Sequence, residues 1–187
     1  MTKVAEKKIR KRKWYEILSK DFNNVLLGET ITKDPNLIIK RILKVNLNTL
    51  NNDVKSQNIE ILFRINEFKD DKFQTYIYGY NLNPSYIKRV IKTSKTKIDD
   101  SFICTSKDNI KLRIKPILIT KNNTTNSIAT LLLNKNRQLF TEFLSKKTYI
   151  EFFNDLITKK VTPEFKKNLH KVYPISFLEV RMMRRLE

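Results

Sequence analysis

The chain has 187 residues and carries 38 Lys+Arg against 19 Asp+Glu, a formal net charge of +19. Such an excess opposes compaction until a polyanion neutralises it, which points to nucleic acid or an anionic surface. Two glycines, one cysteine and one histidine leave no material for a phosphate-cradling glycine loop, a dinucleotide fingerprint or a His/Cys zinc site, so no cofactor is expected.

Residues 1–13 form a basic arm, too polar to pack by itself. The opening MTKVAEKKIRKRKW leads into no apolar stretch, and no run reaches the about 18–20 apolar residues of a membrane span. No membrane partner is expected, and the location should be cytoplasmic. Residues 14–187 are expected to form a single α+β domain, strand-rich over 14–120, helical over 121–172 and extended over 173–187.

Order begins at Trp14-Tyr15. A strand is predicted over 42–47, entered from Asp34-Pro35. From 57 to 68, Ile59, Ile61, Phe63 and Ile65 alternate with Glu60, Leu62, Arg64 and Asn66, which is strand periodicity. A turn at Asp70-Asp71 and a second strand over 73–80 complete an antiparallel hairpin. The period then changes. Tyr86, Ile87, Val90 and Ile91 recur at helical spacing, with Pro84 near the helix start.

Two further strands are predicted over 97–106 and 109–120, joined at Lys107-Asp108-Asn109, where Asn109 suits a left-handed turn position. In the second, Ile110, Leu112 and Ile114 face inward while Lys111, Arg113 and Lys115 face outward, about 6–7 Å apart. Beyond 121 the apolar stripes are helical, and Thr162-Pro163 reads as an N-cap followed by proline at the first helical position. An extended piece over 175–183 is placed to return to the sheet. The order predicts an α+β fold, an antiparallel β-sheet or barrel-like core followed by packed C-terminal helices.

Three basic sets stand out as candidate RNA contacts. The arm supplies Lys7, Lys8, Arg10, Lys11, Arg12 and Lys13, ending on Trp14; the helix and its exit supply Lys88, Arg89, Lys92, Lys95 and Lys97; the strand supplies Lys111, Arg113 and Lys115. Such contacts add affinity and position but read no base sequence. Tyr76, Tyr78 and Tyr80 share a strand face and suit either a base-stacking platform or, as is commoner for such a set, a packed core. Cys104, inside an apolar run, reads as a buried filler, and His170, inside a polar one, as a solvated helix residue. A metal-dependent nuclease would have to hold its ion on Asp70, Asp71, Asp99 or Asp100. The first pair reads more simply as a turn. No enzyme signature and no metal site emerge.

An ordered set of short segments carries a family resemblance. It runs Lys13-Trp14-Tyr15-Glu16, Gly28-Glu29-Thr30, Asp34-Pro35, Gln57-Asn58-Ile59, Phe63-Arg64-Ile65-Asn66-Glu67, Ile98-Asp99, and Lys107-Asp108-Asn109-Ile110 through Pro116. Lys171-Val172-Tyr173-Pro174 and Glu179-Val180-Arg181 continue it. In this order the segments resemble the archaeal and eukaryotic small-subunit ribosomal protein S-three-a-e family, also called e-S-one or the v-fos transformation effector family. The short C-terminus is more similar to archaeal members. The resemblance implies a structural, rRNA-binding protein of the small-subunit platform near the messenger exit. Its implied partners are small-subunit ribosomal RNA, neighbouring ribosomal proteins and, as a further candidate, messenger RNA at the exit. It also implies that the arm up to Trp14 and the segment 88–97 are RNA contacts. The alternatives are an off-ribosome RNA-binding regulator and a metal-dependent nuclease. Three departures stand out: the family's arginine run before Ile98-Asp99 is reduced to Lys92, Lys95 and Lys97, its turn glycine is Asn109, and its glycine before Arg41 is Lys40. The last leaves the local backbone path open.

Overall fold

The computed structural model describes residues 11–22 and 24–186. Lys7, Lys8 and Arg10 of the basic arm therefore lie outside the described residues. The chain divides into two compact units: the described residues up to Val45 together with Leu62–Tyr78, and Asn46–Ile61 together with the described residues from Gly79 onward.

In the first unit, β1 (Lys13–Ser19) pairs antiparallel with β2 (Val25–Thr32). It also pairs with β5 (Lys72–Leu82), in parallel, from Glu16↔Lys72 to Ser19↔Thr75. The strand β3 (Ile42–Asn46) pairs with β4 (Ile59–Lys69), which forms a hairpin with β5; of this hairpin Leu62–Tyr78 belong to the first unit and the remaining residues to the second. Asp70 and Asp71 turn that hairpin with φ of 51° and 59°. Two successive left-handed residues match the twist of the flanking strands, and short polar Asp tolerates them. The core of this unit is Ile17, Ile38, Ile65 and Phe73, with Tyr15 and Phe68 closing over it at 5.3 Å between ring centroids.

The backbone at Lys40 is left-handed, with φ of 73°. It is held there from both sides, because its N–H donates to the Ile65 carbonyl (2.9 Å) and the Ile65 N–H donates to the Arg41 carbonyl (3.0 Å). The path suited to a glycine is thus kept although lysine occupies it, at the cost of crowding its Cβ.

In the second unit, β8 (Lys111–Thr120) is central. On one side β6 (Lys97–Asp99) and β7 (Phe102–Thr105) pair with it end to end, and on the other β9 (Ile175–Arg185). The strand predicted over 97–106 is therefore two strands. The break is at Asp100, whose carboxylate is only 4% exposed and takes both prongs of the Arg137 guanidinium at 2.6 Å. Among the described residues the strands follow the order β2-β1-β5-β9-β8-β6, with β2 and β6 at its ends, so the α+β sheet is not closed into a barrel. One pair, β1 with β5, is parallel.

Five α-helices complete the described chain: α1 (Leu47–Asn51), α2 (Pro84–Val90), α3 (Asn126–Lys146), α4 (Tyr149–Ile157) and α5 (Val161–His170). Leu132, Asn136, Phe140 and Leu144 recur every fourth residue and form the buried face of α3. Phe140 meets Phe102 of β7 at 5.9 Å and Phe165 of α5 at 4.8 Å. Cys104 is buried beneath the same helix, its Sγ 3.4 Å from Thr141 Oγ1, and burial pushes its thiol above the ordinary range. The start of α5 differs from expectation. Val161 is 2% exposed and is drawn into the core, so the helix begins there and Pro163 is its third residue. Proline remains acceptable, since first-turn N–H groups have no helical partner.

Glu179 of β9 lies largely out of solvent, with Lys159 Nζ 3.4 Å away and the Tyr86 side chain beside it. Burial raises its carboxyl above the ordinary value near 4.5, outweighing the pull of Lys159. A carboxyl whose folded pKa lies above its unfolded one destabilises the fold where it is ionised, and that penalty disappears as pH falls through the folded pKa. Glu179→Gln should therefore be more stable than wild type where the carboxyl is ionised, with the difference shrinking as pH falls toward the ordinary carboxylate range, in denaturant unfolding of the full chain. A pH-independent difference contradicts this. Lys40→Gly should gain about 0.5–1 kcal/mol in the same assay, the left-handed penalty less the larger unfolded-state entropy of glycine. A loss of stability would refute the reading of that backbone path.

Candidate nucleic-acid interface

The two faces of β8 have different fates. Leu112 and Ile114 are fully buried on the face that carries Cys104 and lies under α3. The intervening Lys111 and Arg113 are exposed on the other face and Lys115 is half-buried there. The predicted inward and outward sets of this strand are thus the observed ones. The hairpin that carries them is fixed at its loop: the Lys107 N–H donates to the Lys147 carbonyl (3.0 Å), and Asp108 Oδ2 accepts the N–H of Tyr149 at the start of α4 (3.1 Å). Asn109 has φ of 57°, the left-handed conformation anticipated for it.

The neighbouring strands enlarge the cationic face. Ile103 of β7, Arg113 of β8, Arg184 of β9 and Gly79 of β5 lie side by side in register. Arg184 is exposed, and none of Lys111, Arg113, Lys115 and Arg184 has an ion-pair partner among the described residues. At Gly79 a Cβ would meet the Met183 carbonyl oxygen at 2.4 Å and Arg184 Cγ at 3.4 Å, so only glycine admits this approach of β9 and the Arg184 stem.

Arg184 is the residue that simple alternation misses. Counting every second residue from Leu178 and Val180 would turn Arg184 inward. Instead the register slips: Pro116 pairs with Val180, but Lys115 pairs with Met182, leaving Arg181 as an extra residue. Pro116 has no N–H to give the ladder, and the bulge sits there. It puts Met183 in the core, opposite Ile114, and Arg184 outside. The only sequence signal for it is the proline on the partner strand.

The helix α2 lies on this same sheet face. Ile117 and Ile119 continue the face of Arg113 and Lys115, and they pair with Glu179 and Phe177. Tyr86 of α2 packs on Phe177 at 6.0 Å and lies beside Glu179. The helix therefore covers one half of the face and leaves the cationic half open. It brings with it exposed Lys88 and Arg89, the latter 6.0 Å over the Tyr86 ring, with exposed Lys92 just beyond its end. Two members of the set are engaged elsewhere: Lys95 Nζ donates to Ser176 Oγ at 2.9 Å, and Lys97 pairs with Asp99. Lys11, Arg12, Lys13 and Trp14 are exposed in the first unit.

Tyr80 is buried, 4% exposed, and is thus unavailable for stacking, while Tyr76 and Tyr78 are half-buried and the Arg64 guanidinium lies 5.4 Å over the Tyr78 ring. Asp70 and Asp71 form the hairpin turn, Asp99 pairs with Lys97 and Asp100 with Arg137. His170 is exposed, its Nδ1 accepting the Ile175 N–H at 3.2 Å. Among the described residues no three His, Cys, Asp or Glu side chains are grouped to hold a metal, and no helix is long and apolar enough to cross a membrane.

What this arrangement can do is bind a polyanion: guanidinium and ammonium groups on one sheet face, without ion-pair partners among the described residues, meet phosphate oxygens without first breaking such pairs. Comparison with known proteins agrees in kind. The chain is 26% identical over its whole length to the small ribosomal subunit protein eS1 of Methanothermobacter thermautotrophicus, covering 98% of that protein. It is 30% identical to the protein of the same name from Nanoarchaeum equitans over 91% of this chain and 87% of that one. For the one from Archaeoglobus fulgidus the figures are 27%, 91% and 82%. The Ribosomal S3Ae family matches residues 1–187, and the chain belongs to that family.

Proposed function

We propose that the chain is a non-enzymatic, structural constituent of the small ribosomal subunit, binding ribosomal RNA through the open cationic half of the β8–β9 face and the adjoining α2. The observation that carries this reading is the convergence of Lys111, Arg113, Lys115 and Arg184, all without ion-pair partners among the described residues, beside Lys88 and Arg89. It stands in a chain of net charge +19 whose relatives carry the name small ribosomal subunit protein eS1. The basic residues leading to Trp14 are a second contact. Contacts of this type fix position and orientation on RNA rather than reading bases, which suits a protein that holds folded RNA in place. The site of action is the cytoplasmic ribosome, on the platform near the messenger exit, with ribosomal RNA and neighbouring ribosomal proteins as partners and exiting messenger RNA passing close by.

Sucrose-gradient fractionation of native extract, followed by mass spectrometry, tests the assignment. Stoichiometric comigration with the small subunit through moderate salt is expected; accumulation at the top of the gradient would overturn it. The interface has its own test in the binding of purified full chain to small-subunit ribosomal RNA. Arg113→Ala and Arg184→Ala should each weaken binding and lower the slope of log affinity against log salt by about 1, as loss of one phosphate contact does. An unchanged slope in both variants removes this face from the interface.

A further inference from the structure

The first unit has an open surface of opposite character. Along β1 and β2 the residues opposite one another are Trp14↔Ile31, Glu16↔Glu29 and Leu18↔Leu26. They share the face away from Tyr15 and Ile17, which belong to the core. Trp14 is 66%, Leu26 51% and Ile31 44% exposed. The only charges that these paired residues carry are the two glutamates. Glu16 is paired with Lys72 at 2.9 Å, whereas exposed Glu29 has no ion pair among the described residues. The strand β2 ends the strand order, and no described backbone group outside β1 bonds to its residues. A bulge between Ile17 and Leu18 skips Leu27 and is followed by Gly28 at φ 154°, with open space where a Cβ would stand. Residues 29–32 beyond it run in regular register.

We propose that the free edge of β2, with the apolar face it shares with β1, docks an extended segment of a second ribosomal protein, apolar and basic in alternation, added as a further strand. The proposal rests on the small-subunit reading above. A free strand edge offers alternating N–H and C=O groups, which another peptide backbone satisfies in register and a phosphodiester chain does not. Trp14, Leu26 and Ile31 supply the apolar contact that nucleic acid backbone lacks, and large exposed apolar groups clustered on one face mark a protein partner. Glu29 sets the charge. It repels phosphate, and an arginine or lysine on the incoming strand is its complement, in a setting where basic segments abound.

The test places p-benzoyl-phenylalanine at position 26, and separately at position 103 on the cationic face, in full chain assembled into small subunits in cells. After irradiation and purification of the subunits, position 26 should give an adduct to a protein segment in which apolar residues alternate with Lys or Arg. Position 103 should give an adduct to ribosomal RNA. Glu29→Lys should lower the position-26 adduct by about five-fold, the loss of one exposed ion pair and its replacement by repulsion, and leave the position-103 adduct unchanged. An RNA adduct, no adduct, or one insensitive to Glu29→Lys at position 26 overturns the docking strip while the RNA adduct at 103 upholds the small-subunit reading. Absence of the chain from small subunits overturns both.

Discussion

The pairing of β9 with β8 is the interaction on which the second unit depends. It closes a loop that contains all three C-terminal helices, so it must offset a large loss of chain entropy before it gains anything. The compensation comes from apolar burial on both strands: Leu112, Ile114, Ile117, Leu118 and Ile119 on one, Leu178, Val180 and Met183 on the other, each 4% exposed or less. Truncating such a residue to alanine typically costs about 2–5 kcal/mol, so few of them are dispensable. The same pairing seats β9 against β5 at Gly79, where a Cβ would strike the Met183 carbonyl oxygen.

That pairing also sets the chemistry of the surface. Because Leu112 and Ile114 are buried on the face that β7 shares under α3, Lys111, Arg113 and Lys115 have no choice of face. Because β9 is bulged at Arg181, opposite Pro116, Arg184 joins them. The cations repel one another, and apolar packing on the opposite side holds them together until a polyanion neutralises them. Four cations without ion-pair partners among the described residues share the open half of one sheet face in the second unit, whereas the paired residues on the exposed β1–β2 face of the first unit are apolar or glutamate.

Much of this was legible in the residues, and the failures have physical causes. The clean alternation from Ile59 to Ile65, the Asp70-Asp71 turn, the helix beginning at Pro84 and the left-handed Asn109 are all local signals, and the structure contains each of them. The outward set Lys111, Arg113 and Lys115 follows from strand period alone. Arg184 was not legible, because a bulge inverts the phase of a strand without altering composition. The break at Asp100 was hidden as well, since Arg137, the residue that draws the carboxylate inward, is far away in sequence. The helix at Val161 starts early because tertiary burial outweighs the cap that Thr162-Pro163 suggests. Strands β1 and β2 show no single apolar face: Trp14 and Leu18 alternate with Tyr15 and Ile17, so both sides look like core. That ambiguity is itself physical, a strand with apolar groups on its exposed side. At Lys40 the chain keeps a path made for glycine because two backbone hydrogen bonds impose it.

The most direct measurement is a density map of the native small subunit in which this chain is resolved. Phosphate oxygens of ribosomal RNA are expected within about 3 Å of the guanidinium groups of both Arg113 and Arg184. A map in which that face meets solvent or another protein, with no phosphate near either residue, would contradict it.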